Sequence, residues 1–137
     1  MQAIFATLLC MRKVTRRSNC PIAFGLDIFG DKWSLLIIRD LALTGKKTYQ
    51  EFLDSEEHVA TNILAQRLRL LEAQRIVRKE PDPRDGRKMA YRLTKKGADL
   101  APILVAMTQW GATYDPRTMA SPEFVRAVRK KAASLAR

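Results

Sequence analysis

The chain has 137 residues, with 25 Lys and Arg against 14 Asp and Glu, two cysteines and one histidine. That is the size of one ordinary domain, and 47% hydrophobic residues can build a core, which excludes a disordered tail. The uncharged apolar run at 3–11 falls far short of the roughly 20 residues of a membrane span, and the basic residues follow it, where a signal peptide's would precede it.

Two cysteines do not make a disulfide framework, so a reducing, cytoplasmic setting is expected. A net charge of +11 and a pI of about 10.2 point to a polyanionic partner, nucleic acid first. Residues 1–19 read as an N-terminal extension ending in a basic segment, Arg12, Lys13, Arg16 and Arg17, and either Met1 or Met11 can serve as the start. Regular structure is expected after Cys20-Pro21. Asp31 is a suitable N-cap for a helix over 32–43 that is apolar on most sides, as the buried helix of a small domain would be. Gly45 stops it. Thr48 and Glu51 form a T-x-x-E capping box that opens a short helix with Tyr49, Phe52 and Leu53 facing inward.

A polar turn at 54–58 leads to a helix over 60–73. Successive residues turn by about 100°, so Ala60, Leu64, Leu68 and Leu71 share one face, and Asn62, Ala65, Gln66, Arg69 and Ala73 the opposite one. The outer face holds two amides and a guanidinium but no acid. Those groups suit base edges in a major groove, where Asn and Gln match adenine and Arg matches guanine.

Two short strands follow, over 76–80 and 89–93, with Met89, Tyr91 and Leu93 on one side of the second. Between them lies a Pro/Asp/Gly turn carrying Arg84, Arg87 and Lys88. Helix, helix, turn, helix and hairpin is the order of a winged helix-turn-helix. Thr94 is expected to cap a last core helix with Leu100, Ile103, Leu104, Met107, Trp110 and Tyr114 on its apolar positions, kinked at Pro102. Ser121-Pro122-Glu123 then starts a helix bearing Phe124, Val125, Val128 and Leu135 beside Arg126, Arg129, Lys130 and Lys131.

Several of these segments, in this order, resemble the HxlR-type transcriptional regulators: Cys20-Pro21, the run from Gly30-Asp31-Lys32-Trp33 to Ile38-Arg39, and Gln66-Arg67-Leu68-Arg69-Leu70-Leu71-Glu72. Tyr91-Arg92-Leu93-Thr94-Lys95-Lys96-Gly97 and Trp110-Gly111 complete the pattern, which covers residues 20–111. The resemblance implies a mainly α fold with a small β-hairpin, a winged helix-turn-helix with flanking N- and C-terminal dimerisation helices. It implies a homodimer on a two-fold symmetric operator, with 60–73 as recognition helix and 76–93 as wing. Residues 20–114 would form the DNA-binding domain and 115–137 a C-terminal helix that dimerises.

The chain departs from the family pattern at two places. Ala60 stands where a Ser or Thr cap is usual, so the helix start can shift to Thr61. Arg75 stands where Gly is usual, and a left-handed conformation there would cost about 1 kcal/mol. The wing tip also resembles the MarR-type regulators, the rival label, with a small-molecule effector.

The candidate DNA-binding residues are Thr61, Asn62, Gln66 and Arg69 on the helix and Arg84, Arg87 and Lys88 in the wing. Arg67, near the apolar face, is expected to pair with Asp40, Glu51 or Glu72. Cys20 is the candidate redox sensor, because some members of the resembled family sense oxidants or electrophiles at this C-P position and Arg16 and Arg17 can favour its thiolate. Cys10 is a weaker one. The candidate dimer interface is Ile103, Met107, Trp110, Tyr114, Phe124, Val125 and Val128. No phosphate-binding loop or metal motif is present, and His58 lacks the partners for a triad, so neither an enzyme nor a cofactor or metal is expected. The rival class is a basic RNA-binding structural protein, which would spread its charge evenly. No membrane partner is expected.

Overall fold

The computed structural model describes residues 14–118 and 120–135; Cys10, Met11, Arg12 and Lys13 lie outside the described residues. Helix α1 (Pro21–Phe29) is followed by α2 (Ser34–Arg39), which runs on into a π-helical turn, Asp40–Thr44. Then come α3 (Tyr49–Leu53), α4 (Thr61–Ala73), the strands β1 (Val77–Pro81) and β2 (Met89–Leu93), α5 (Lys95–Ala98), α6 (Ala101–Tyr114) and α7 (Pro122–Leu135). The strands pair antiparallel, Val77 opposite Leu93 and Pro81 opposite Met89. Thr48 bridges to Ala90, and the Tyr91 amide donates to the Lys47 carbonyl over 2.8 Å, so the segment before α3 adds a third short rung to the wing. The fold is therefore mainly α with one hairpin, a winged helix-turn-helix with helices at both flanks.

Local chemistry accounts for most boundaries. The Asp31 carboxylate accepts the Trp33 and Ser34 amides at 2.9 Å and the Ser34 hydroxyl at 2.6 Å. It so secures the turn into α2, which begins at Ser34 and not at residue 32, with Trp33 in the flanking position. Burial disfavours its ionised form, but the Ser34 bonds, the Trp33 amide and the Arg67 charge outweigh it and hold the carboxyl below its ordinary range. The expected helix over 32–43 does not stay α: it widens at Asp40 into the π-turn and closes at Gly45, whose φ of 74° suits glycine.

Helix α3 is capped by Thr48, whose hydroxyl oxygen accepts the Glu51 amide at 3.3 Å. Helix α4 starts at Thr61 with no side-chain cap from Ala60. It ends in a Schellman motif, the Arg75 amide donating to Glu72 at 3.0 Å and the Ile76 amide to Leu71 at 2.9 Å. Arg75 takes the left-handed position with φ 58°, as its place after the helix implied. Thr94 and Lys96 donate to the carbonyls of Arg75 and Gln74 at 2.5 and 2.7 Å, and so satisfy groups this helix end would leave open.

The core joins Ile28 of α1, Ile37 and Ile38 of α2, Phe52 of α3, and Leu64, Leu68 and Leu71 of α4. Ala42 of the π-turn, Ile76, Val77 and Tyr91 of the wing root and Leu104 of α6 complete it. Of the alternation expected in β2, Tyr91 is buried and Leu93 half-buried, but Met89 is exposed and Ala90 is buried instead.

The long helix expected from Thr94 is two helices. Thr94 caps the four-residue α5 through the Gly97 amide, and the chain turns at Asp99-Leu100 before α6. Pro102 thus lies in the first turn of α6, where a missing N–H costs little, and causes no kink. Gly97 is required by packing: a Cβ there would press on the Ile76 carbonyl oxygen and lie 2.9 Å from the Leu93 side chain. Helix α7 starts with the Phe124 amide bound to the Ser121 hydroxyl oxygen at 3.2 Å. It packs against α6 and the π-turn, with Val128 and Ala132 buried and Leu135 against the core. Among the described residues no helix is long and apolar enough to cross a membrane.

Candidate nucleic-acid interface

Helix α4 separates its residues as a groove-reading helix would. Leu64, Leu68 and Leu71 are buried, whereas Thr61, Asn62, Gln66 and Arg69 are exposed. Among the described residues, the side chains of Asn62, Gln66 and Arg69 have no hydrogen-bond or ion-pair partner within the chain, so their donors and acceptors face solvent. Glu72 flanks this face at its C-terminal end. Ala65 and Ala73 are half-buried at its edges and leave room for a close approach.

The angle of α4 is set by contacts that its own sequence does not announce. The Tyr49 hydroxyl donates to the Thr61 carbonyl at 2.8 Å and so joins the first turns of α3 and α4. The turn between these helices holds His58 at φ 53°. Beneath it, the buried Asp40 accepts the Ser55 hydroxyl at 2.6 Å and the Arg39 guanidinium at 2.8 Å, and Lys46 donates to Ser55 at 2.7 Å. Arg39 also clasps both oxygens of Glu57.

That clasp holds the Glu57 carboxyl down to about 2 from an ordinary 4.5, chiefly through the Arg39 bonds, with burial opposing. Its folded value is depressed, so the stabilisation is complete above the ordinary value and is lost as pH falls through the folded one. The urea midpoint of wild type is therefore expected to exceed that of Glu57→Gln at neutral pH, and the gap to close between about pH 4.5 and pH 2. A gap independent of pH would remove this ion pair from the turn's stability.

The wing tip is organised by its two aspartates. The Asp82 carboxylate accepts the Arg84 amide at 2.9 Å, and Asp85 that of Arg87 at 3.1 Å. The Arg84 guanidinium bonds both Asp82 and, at 2.7 Å, Glu51 in the first turn of α3. Arg84 holds the Glu51 and Asp82 carboxyls below their ordinary range, with burial opposing in each. The geometry thus engages Arg84 in tying the wing to α3. Arg87 is 91% exposed and, among the described residues, pairs only with Asp85, and Lys88 is exposed.

The remaining candidates divide as follows. Arg67 pairs with Asp31 at 3.5 Å and with none of Asp40, Glu51 or Glu72, because its side chain runs back toward the cap of α2. Its Nε is buried without a partner. Cys20 is exposed and unpaired just ahead of α1. Arg17 pairs with Asp27 and Arg16 bonds the Ser18 carbonyl, so both have partners other than the thiol.

Met107, Trp110 and Tyr114 are 55%, 69% and 70% exposed and belong to no core of the single chain. With Pro102, Ile103 and Ala106 the first two line a shallow apolar groove of about 450 Å³ along α6. Phe124 is exposed and Val125 half-buried, but Val128 is buried within its own chain, which corrects its place among the interface candidates. Ile22, Phe24 and Leu26 of α1, which sequence reasoning had not singled out, are also exposed. Among the described residues no cluster of His, Cys, Asp and Glu can hold a metal ion.

Comparison with known proteins agrees with this geometry. Residues 28–119 match the family model described as HxlR-like helix-turn-helix. The HTH-type transcriptional regulator YybR of Bacillus subtilis is 35% identical over 95 residues, covering 69% of this chain and 75% of its own. Regulator sll1512 of Synechocystis is 33% identical over 95 residues, covering 69% and 70%.

Among solved structures, PA1607 superposes with a TM-score of 0.66 at 44% identity, covering 72% of this chain and 68% of its own. The redox regulator HypR in its oxidised form gives 0.61 at 35%, covering 69% and 96%. The reduced transcriptional regulator YodB of B. subtilis gives 0.58 at 29%, covering 74% and 100%.

Proposed function

This chain belongs to the HxlR-like helix-turn-helix family, DNA-binding transcriptional regulators, and on that premise we propose that it acts as a homodimer on a two-fold symmetric operator. In this reading α4 of each protomer enters a major groove, with the two half-sites about one helical turn apart, and Arg87 and Lys88 of the wing meet phosphate. The observation that carries it is the face of Asn62, Gln66 and Arg69, exposed and without a partner among the described residues, on a helix whose other side buries Leu64, Leu68 and Leu71. Arg84 serves this interface indirectly, through Glu51 and Asp82.

Gln66→Ala and Arg69→Ala are each expected to weaken operator binding by about 1–3 kcal/mol, read by gel shift, with the thermal midpoint unchanged. Wild-type affinity in both variants would remove these side chains from base reading.

Dimerisation is assigned to the exposed apolar residues of α6, Met107, Trp110 and Tyr114 with Ile103, and Phe124 and Val125 at its rim. A monomeric soluble protein rarely leaves so continuous an apolar patch uncovered. A signal-sensing role for Cys20 rests on its exposed, unpaired thiol and on the redox regulators among the similar structures. Diamide is expected to change the operator affinity of wild type and to leave Cys20→Ser unaffected. An equal response of the two proteins would move the sensing elsewhere or dismiss it.

A further inference from the structure

We infer that the outward face of α7 is a second, sequence-independent DNA site, which binds the phosphate backbone of duplex flanking the operator. The inference rests on the operator reading above and adds a surface to it. Helix α7 lies beyond residues 28–119, the part that matches the family model, so its face is not part of what that match describes.

The helix is strongly two-sided. Val128 and Ala132 are buried and Leu135 packs on the core, which points Arg126 and Lys130 outward at spacings of about 100° per residue, flanked by Arg129 and Lys131. All four cations are exposed. The only acid on the helix is Glu123, in its first turn, and it pairs with Arg126 at 3.1 Å. Arg129 meets the Gln109 side chain across the α6–α7 seam. Among the described residues neither Lys130 nor Lys131 has a carboxylate within ion-pairing distance of its ammonium.

Lys32, Lys47, Lys79 and Lys88 likewise have no ion-pair partner among the described residues, but none of them shares one helix face with so many other cations. Elsewhere the described arginines commonly face acids: Arg17 with Asp27, Arg39 with Glu57, Arg84 with Glu51, Arg87 with Asp85, Arg92 with Glu80, Arg117 with Asp115. The cations at the end of α7 are left uncompensated on a helix held rigidly by its apolar side.

Charge complementarity supports DNA as the occupant. The buried side of α7 packs against the π-turn Asp40–Thr44. That turn leads through Lys46 and Lys47 into the rung against β2 and the capped start of α3. The basic face is thus attached to the element that carries the chain into the helix-turn-helix. A polyanion already docked on α4 and the wing is the complementary partner for it, since phosphate contacts are electrostatic and indifferent to sequence.

The test compares wild type with a variant carrying Arg126→Gln, Lys130→Gln and Lys131→Gln. These exposed changes leave Val128 and Ala132 in place, and an unchanged thermal midpoint confirms the fold. Binding is measured against salt on two duplexes that share one selected operator: about 20 bp, two half-sites long, and about 40 bp with extended flanks. On the long duplex the variant is expected to lose about 0.9 of salt slope per contact removed, two to three units per protomer and up to about five for the dimer, and to protect less flank in a footprint.

On the short duplex the two proteins should bind alike. An unchanged slope on the long duplex would overturn the inference and leave the face for an acidic protein. An equal loss on both duplexes would also overturn it, by moving the contacts inside the operator. If wild type bound neither duplex, the operator reading itself would fall, and this inference with it.

Discussion

Trp110→Asp is expected to convert the protein to a monomer and to lower operator affinity on the order of a thousandfold, toward the non-specific level. Trp110 is 69% exposed in the single chain and its ring neighbour at 5.3 Å is the equally exposed Tyr114, so the substitution removes little internal support. In a dimer the same position would be covered, and a carboxylate there would need to shed water without a partner, which costs several kcal/mol. One protomer alone holds one half-site, and the affinity that comes from joining two is lost. Sedimentation gives the mass and a gel shift the affinity. A dimeric mass with intact operator binding would place the interface elsewhere, with the exposed apolar face of α1 as the next place to look.

Leu68→Ala is expected to cost about 2–5 kcal/mol of folding free energy, a large part of the total for a domain of this size. Leu68 is 2% exposed and lies between the fully buried Leu64 and Leu71, so removing its branched end leaves a cavity that neighbours on three elements cannot close. Gln66→Ala, two residues away on the outer face, should leave the folding free energy from urea titration within about 0.5 kcal/mol of wild type. A Leu68→Ala loss below 1 kcal/mol would mean that the inner face of α4 is not packed as described.

The contrast between these neighbours was legible in the sequence because the long side chains of α4 follow one period. It placed Leu64, Leu68 and Leu71 inside and Asn62, Gln66 and Arg69 outside, although Ala60, set on the inner face, is exposed. The stop at Gly45, the caps at Asp31, Thr48 and Ser121, and the left-handed Arg75 were legible too, since each follows from one residue's chemistry. Contacts between distant segments were not. Arg84 reads as a free wing cation until Glu51, 33 residues earlier, is seen beside it. Arg67 looked equally able to reach three acids, and found a fourth, Asp31.

Two signals were present and went unused. Asp40 is the one acid in a largely apolar helix, which calls for a buried partner, and Ser55 supplies one beside Arg39. Pro102 lies eight residues after Thr94, as suits a first-turn proline of a new helix as well as a kink in an old one. Only the packing of α5 on the hairpin root, with Gly97 against Ile76, decides between them.

The measurement closest to the central claim is the affinity of wild-type protein, at one salt concentration, for a duplex selected from a random pool, for an unrelated duplex and for an RNA duplex of the selected sequence. Reading by α4 in the major groove predicts that the selected DNA binds at least about 10³ times more tightly than the unrelated one. The RNA should fall with the unrelated DNA, because its deep, narrow major groove cannot admit the helix. Equal affinity for all three would contradict the account, and would reduce the protein's basic charge to a general attraction for polyanions.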